Sequence, residues 1–344
     1  MPPVFVLTTR GLEAITAQEI TALTDVDIQD VSYRRITALC DHPVQLLQLR
    51  TADDAFLSLD HWTDIGHTRD MLAVFCERAT QLNFRSALKT LRTLRPLPET
   101  PMFAVTASFV GKRNFSSEEI KTAVADGITQ STGWAYSADD RSASLNIRVF
   151  IEHHHAYIGL RLSDHPLHER DDRAVERVGA LKPSIAAALV QLAEIKNTET
   201  LLDLCCGSGT ILIEAARMGI KVLGGDLDVQ AVQTARKNMR AAGQHFRVDV
   251  WDARSLPVST ESVDAVVSNL PWGRQIVVDE TLASVYQDIL LESERVLKAG
   301  GKAIFLTTSP QLLQGSALRM VDQKEISVFG QNASVCLFEK MSSV

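Results

Sequence analysis

The chain has 344 residues, 45% hydrophobic and 22% charged, with a formal net charge of −7. That length holds two or three domains and a sizeable core, and the composition is that of an ordinary soluble globular protein. No apolar run approaches a membrane span, Met1-Pro2-Pro3-Val4 lacks a secretory start, and five irregularly spaced cysteines fit a reducing cytoplasm better than a disulfide framework.

Val4–Thr8 predicts a short strand closed by Gly11, followed by a helix over Leu12–Leu23. Val31–Leu39 reads as another strand, and Pro43 introduces a helical Val44–Leu49. This alternation predicts a small α+β module of the ferredoxin type over residues 1–45. A second stretch opens at Arg50-Thr51-Ala52-Asp53-Asp54. Thr80 to Pro96 carries Arg85, Lys89, Arg92 and Arg95 with no acid among them; at helical spacing they share one face, and Phe84, Leu88, Leu91 and Leu94 favour the other. Lys112 and Arg113 add a second basic cluster. The overall acidity argues mildly against nucleic acid, but such a footprint is local, and by itself the basic face reads as solvated.

Met102–Phe109 predicts a strand, and Glu118–Thr132 a helix capped by Ser116 or Ser117, with Glu118 and Glu119 in its favourable first turn. Leu145–Ile151 and Ala156–Leu162 read as a hairpin around His153-His154-His155. Three successive histidines on a strand would alternate faces, and no second ligand cluster has zinc-like spacing, so an exposed turn is expected rather than a metal site. The charged Asp171–Arg177 lacks a hydrophobic period and reads as a linker; Leu181-Lys182-Pro183 then starts a helix, with proline tolerated in its first turn.

The second half is organised around the stretch from Leu201 to Glu214. An apolar run reaches Asp203, passes Cys205 and Cys206, turns on Gly207-Ser208-Gly209, and continues from Thr210 as a helix. Glycines there let a ligand approach the backbone, and the helix start offers free N–H groups. A dinucleotide fingerprint requires a third glycine where this chain has Leu212, which weakens a pyrophosphate reading. Lys221–Asp226 predicts a second strand ending in a carboxylate, followed by Leu227, at the distance suited to holding ribose hydroxyls. A third run ends in Asp252-Ala253, and a fourth, Val263–Ser268, enters Asn269-Leu270-Pro271-Trp272-Gly273. Leu282–Leu297 predicts a helix ended by Gly300-Gly301, Lys302–Thr307 a fifth strand, and Lys324–Val328 with Ala333–Phe338 a final pair.

These residues carry a resemblance. The acid–Gly-x-Gly turn is similar to motif I of class I S-adenosylmethionine-dependent methyltransferases. Asn269–Trp272 resembles the Asp/Asn-Pro-Pro-aromatic motif of enzymes that methylate exocyclic amines, with Leu270 where many relatives carry a second proline. Residues Arg50–Asp54, Phe103–Ile120, Val149–Ile151 and Ala156–Leu160 look like a THUMP domain, a module of RNA-modifying enzymes. The chain thus resembles the THUMP-containing RNA guanine-N2 methyltransferases. The resemblance implies an α/β fold: a ferredoxin-like domain over 1–45, THUMP over 46–165, a linker over 166–182 and a Rossmann-like seven-stranded methyltransferase domain over 183–344. It implies S-adenosyl-L-methionine as cofactor, held by Asp203, Cys205, Gly207, Gly209, Thr210, Asp226, Leu227, Asp252, Ala253 and Asn269, with Lys182 and Pro183 beside its methionine end. It implies catalysis by Asn269, Leu270, Pro271 and Trp272, and tRNA contacts from Arg85, Lys89, Arg92, Lys112 and Arg113. A monomeric cytoplasmic enzyme without metal or membrane partner is expected, acting in the acceptor stem at position 6. Alternatives are another tRNA guanosine, 23S ribosomal RNA, a small-molecule or DNA substrate, or a non-catalytic RNA-binding protein.

Overall fold

The computed structural model describes residues 1–170, 179–272 and 281–341, so that Gly273 and the expected linker Asp171–Arg177 lie outside the described residues. The chain divides into two compact units, one of residues 1–8 and 16–167, the other of residues 9–15 and 168–344.

In the first unit, β1 (Pro3–Thr8) precedes α1 (Glu13–Thr21), whose first residues belong to the second unit. Then follow β2 (Val26–Ser32), β3 (Arg35–Cys40), β4 (Ala52–Trp62), α2 (Met71–Thr80), α3 (Arg85–Leu94), β5 (Phe103–Phe109), α4 (Ser117–Thr132), β6 (Leu145–Glu152) and β7 (His155–Arg161). The strands make one sheet in the order β2-β3-β1-β4-β7-β6-β5, with only β5–β6 parallel. The sheet crosses the expected 45/46 boundary without a break, because β1 pairs with β3 on one side and β4 on the other. The single strand expected over Val31–Leu39 is a hairpin, bent at Arg34, whose φ of 59° ends the extended run. Val44–Leu49 falls in a 3-10 turn, Pro43–Gln48, while α2 had no expectation attached to it.

Phe75, Leu91, Ile120, Val124 and Ile128 from the helices pack with Val105, Ile147, Val149 and Ile158 of the strands in one core. A Cβ on Gly127 would sit 2.2 Å from the Cys76 carbonyl oxygen, so glycine lets α4 cross α2 closely. Ser116 caps α4 reciprocally: its hydroxyl accepts from the Glu119 N–H, and the Glu119 carboxylate accepts from the Ser116 N–H at 2.8 Å. Strand alternation sends Phe5, Leu7, Phe56 and Phe150 to the other face, where Phe5 and Phe56 stack with centroids 4.8 Å apart.

The second unit contains α5 (Pro183–Leu192), β8 (Thr200–Asp203), α6 (Thr210–Arg217), β9 (Lys221–Asp226), α7 (Val229–Ala241), β10 (Arg247–Val250), β11 (Val263–Asn269), α8 (Leu282–Val296), β12 (Leu297–Thr307), β13 (Arg319–Val328) and β14 (Gln331–Glu339). The strand order is β10-β9-β8-β11-β12-β14-β13; the first five run parallel, β14 is antiparallel to both its neighbours, and edge strand β13 thus runs in the direction of the first five. Gly300 and Gly301 do not end the preceding helix. They lie inside β12, where the register with β11 shifts and Gly300 has φ 75°, while α8 ends at Val296 and Leu297 caps it in extended geometry. The order in which strands are added switches direction between the parallel neighbours β8 and β11, so the carboxyl ends of these two strands border the crevice where doubly wound sheets bind ligands. Leu12 and Ile15 lie in the same core cluster as Ile326 and Val328, and Gly11, at φ 90°, leaves no room for a Cβ, which would sit 2.0 Å from the Glu325 carbonyl oxygen. Gly11 therefore serves close packing as well as the end of β1.

Candidate active site

Asp203 ends β8 with 1% of its surface exposed. Its Oδ1 accepts from the Ser268 hydroxyl at 2.6 Å and from the Cys205 N–H at 3.3 Å. No cation among the described residues compensates it, and burial pushes its carboxyl up to about 7. The Cys205 N–H also reaches Ser268 Oγ at 3.2 Å, so Ser268 ties β11 to the loop after β8. Burial drives the Cys205 and Cys206 thiols well above their usual range, leaving them protonated and poor nucleophiles.

Past Cys206 the chain turns on two left-handed glycines, Gly207 at φ 54° and Gly209 at φ 82°, the second forming the N-cap of α6 before Thr210. A Cβ on Gly207 would meet nothing within 4 Å, so the backbone lies open to an incoming group, whereas one on Gly209 would come 3.1 Å from Ala235 Cβ. Asp226, at the end of β9, accepts from the Gly207 N–H at 2.9 Å and the Asp228 N–H at 3.0 Å. The turn is thus braced by the carboxylate expected at the ribose. Beneath it, Gly225 leaves room for Trp251, whose indole donates to the Leu204 carbonyl at 3.0 Å. Leu227 is 66% exposed beside Asp226, an apolar surface at the mouth of the loop. Asp252 is clasped by Arg254, which holds its carboxyl below the usual range, and Ala253 is buried. Lys182 is the N-cap of α5, and Pro183 and Thr210 border one groove with Arg170 and Asn238. In that groove Glu214, buried in α6, pairs with Arg170 at 3.3 Å and Arg217 at 3.7 Å.

Asn269 ends β11 beside Leu306 of β12. Its Oδ1 accepts from the Trp272 indole N–H at 3.1 Å, and Trp272 itself is half-buried against the core. An indole nitrogen only donates, so the amide must turn its oxygen toward it. Leu270 departs from a Pro-Pro pattern by inserting an apolar side chain into the core, 1% exposed, with its N–H donating to the Leu306 carbonyl at 3.0 Å. The Pro271 carbonyl accepts from the Tyr286 hydroxyl at 2.9 Å. Ser268, Trp251 and Tyr286 went unsingled in the sequence because each supports the site from an ordinary core position with no motif around it.

Arg85, Lys89 and Arg92 project from the exposed face of α3, while Ala87 and Leu91 are buried. Arg95 is turned aside to Asp164. Lys112 is exposed, but Arg113 is engaged inside its own unit, donating to the Gly66 carbonyl at 2.8 Å and to the His153 carbonyl. Of the two, only Lys112 offers its charge to solvent. His153 takes φ 51° in the turn between β6 and β7, and among the described residues no group of three or more potential ligands could hold a metal ion.

Residues 170–336 match the family described as RMKL-like, methyltransferase domain, and residues 86–161 match the THUMP domain. A tRNA (guanine(6)-N2)-methyltransferase of Thermus thermophilus is 33% identical over 245 residues, covering 68% of this chain and 72% of that protein. The U6 snRNA (guanine-N(2))-methyltransferase of Bos taurus is 30% identical but aligns over only 38% of its own length. The crystal structure of TrmN from Thermus thermophilus superposes with a TM-score of 0.80 at 26% identity, covering 99% of this chain and 100% of that one.

Proposed function

The chain belongs to the THUMP-containing guanine-N2 methyltransferase family, and from that premise we propose that it methylates the exocyclic N2 of a guanosine in tRNA, in the acceptor stem at position 6. The observation that carries this reading is Asn269-Leu270-Pro271-Trp272 at the end of β11, next in the sheet to the Asp203–Gly209 loop after β8. The open backbone at Gly207, the Asp226 carboxylate and the exposed Leu227 fit S-adenosylmethionine: Asp226 suits ribose hydroxyls, Leu227 an adenine face, and Asp252-Ala253 its amine. When bound, that cofactor supplies a sulfonium methyl already activated for transfer.

Guanine N2 is a poor nucleophile because its lone pair is delocalised into the ring. Asn269 Oδ1 has two lone pairs; one takes the Trp272 N–H, leaving the other for an amine proton. The Leu270 carbonyl accepts the second proton. Both acceptors orient the amine and favour the positive charge that develops as the N–C bond forms, after which the surplus proton passes to solvent. A single chain carries both the cofactor loop and the amine acceptors, so a monomer suffices for the reaction, and the cytoplasm is proposed only as the compartment of the tRNA substrate; no helix among the described residues is long and apolar enough to cross a membrane.

The test is methyl transfer from labelled S-adenosylmethionine to unmodified tRNA, with nucleoside mass analysis, for wild type and Asn269→Ala. N2-methylguanosine from wild type, reduced about a hundredfold or more in the variant, is expected. N6-methyladenosine, or no incorporation into any RNA, would overturn the reading. Product from ribosomal RNA alone would move the substrate.

A further inference from the structure

The turn that presents the amine acceptors leaves the sheet immediately after the Leu270 N–H completes its bond to Leu306, and Pro271 has no N–H with which to make another. Among the described residues, its next backbone tie is through the Pro271 carbonyl. That oxygen accepts from the hydroxyl of Tyr286, which stands in the first turns of α8 with none of its surface exposed. The same hydroxyl lies 2.7 Å from Thr307 Oγ1, at the end of β12, and Thr307 Oγ1 accepts from the Ser309 N–H at 2.9 Å. Since Tyr286 spends its proton on Pro271, Thr307 donates to Tyr286. The result is a one-way chain, Ser309 N–H to Thr307 hydroxyl to Tyr286 hydroxyl to Pro271 carbonyl, in which each bond polarises the next.

We propose that Tyr286 is a positioning residue for methyl transfer, its hydroxyl fixing the Pro271 carbonyl and thereby the direction of the Leu270 carbonyl and the Asn269 amide. The Leu270 carbonyl is bonded directly to the Pro271 nitrogen, and proline's ring fixes φ there. With the Leu270 N–H held on one side and the Pro271 carbonyl on the other, that carbonyl has no free rotation left. Leu306 and Thr307 are adjacent on β12, so both anchors hang from one strand. This inference rests on the amine-methylation reading above, but its first readout does not.

Tyr286→Phe keeps the ring in the core and deletes only the hydroxyl. Hydrogen exchange of the full-length variant should accelerate at the Leu270 amide, which donates to Leu306, while the amides of β8 and β12 keep their protection. In the methyl-transfer assay, kcat should fall by about tenfold to a hundredfold, with the KM for tRNA and the Kd for S-adenosylmethionine within about twofold of wild type. Thr307→Ser should retain wild-type kcat, Thr307→Val should share part of the loss, and the Tyr286→Phe/Thr307→Val pair should be no worse than Tyr286→Phe alone, because both act through one chain. Unchanged exchange at the Leu270 amide, or unchanged kcat, overturns the proposal. So does a kcat loss matched by an equal loss of cofactor affinity and thermal stability, which marks a general packing defect. If wild type makes no methylated RNA, the functional reading fails while the exchange comparison still decides whether Tyr286 holds the turn.

Discussion

Asp203 shows how burial, rather than a charged partner, sets the chemistry of a single residue. An aspartate in an unfolded chain ionises near 3.9, whereas here burial pushes the carboxyl up to about 7 despite the Ser268 and Cys205 hydrogen bonds. Between those values the folded protein keeps a proton that the unfolded chain has released. Its contribution to stability therefore falls as pH rises from about 4 to 7, by up to about 1.4 kcal/mol per pH unit, and is level above that. Asp203→Asn removes the titration but keeps a carbonyl for both donors. The melting temperature of the cofactor-free variant should gain on wild type progressively from pH 5 to 7 and hold a constant lead above it; parallel profiles would show that Asp203 does not titrate in this range. Asn269 illustrates the other kind of residue control, an amide whose orientation is set by a donor-only neighbour, Trp272.

At the scale of one element, α3 separates its two faces cleanly. Ala87 and Leu91 anchor it, while Arg85, Lys89 and Arg92, spaced by four and three residues, form an exposed basic row. If that row contacts RNA phosphates, Arg85→Ala/Lys89→Ala/Arg92→Ala should raise the tRNA KM and flatten the salt dependence of binding by up to about three units of log–log slope. Neither kcat nor S-adenosylmethionine affinity should move, since no residue of α3 belongs to the cofactor loop. An unaltered salt slope would return α3 to a solvated face. Arg113 lacks this freedom, because its guanidinium already holds two backbone carbonyls.

For the whole molecule, the two units are not two consecutive pieces of chain. Residues 9–15 belong with 168–344, and Leu12 and Ile15 are buried in that unit's core beside Ile326 and Val328. A fragment of residues 168–344 should therefore melt lower than the same unit in the full chain and bind a hydrophobic dye, losing burial worth roughly 1.5–3 kcal/mol for each absent side chain. Adding back a peptide of residues 9–15 should reverse part of the effect, and a fragment as stable as the full-chain unit would contradict this division.

The functional half was legible because its signals are local. A strand, a glycine turn and a helix start occupy consecutive residues, so Asp203, Gly207, Gly209 and Asp226 could be placed before any fold was known, as could Asn269–Trp272. Periodicity sufficed for the basic face of α3 and for the antiparallel pair that closes the sheet. What the sequence could not convey depends on partners distant along the chain. Ser268 matters because it meets Asp203 across 65 positions, and Tyr286 because it meets Pro271 and Thr307 across two strands and a helix. The hairpin at Arg34, the glycines inside β12 and the transfer of residues 9–15 to the second unit's core were likewise settled by pairing and packing, since hydrogen bonds and close contacts select among conformations that local propensity leaves nearly equal in energy.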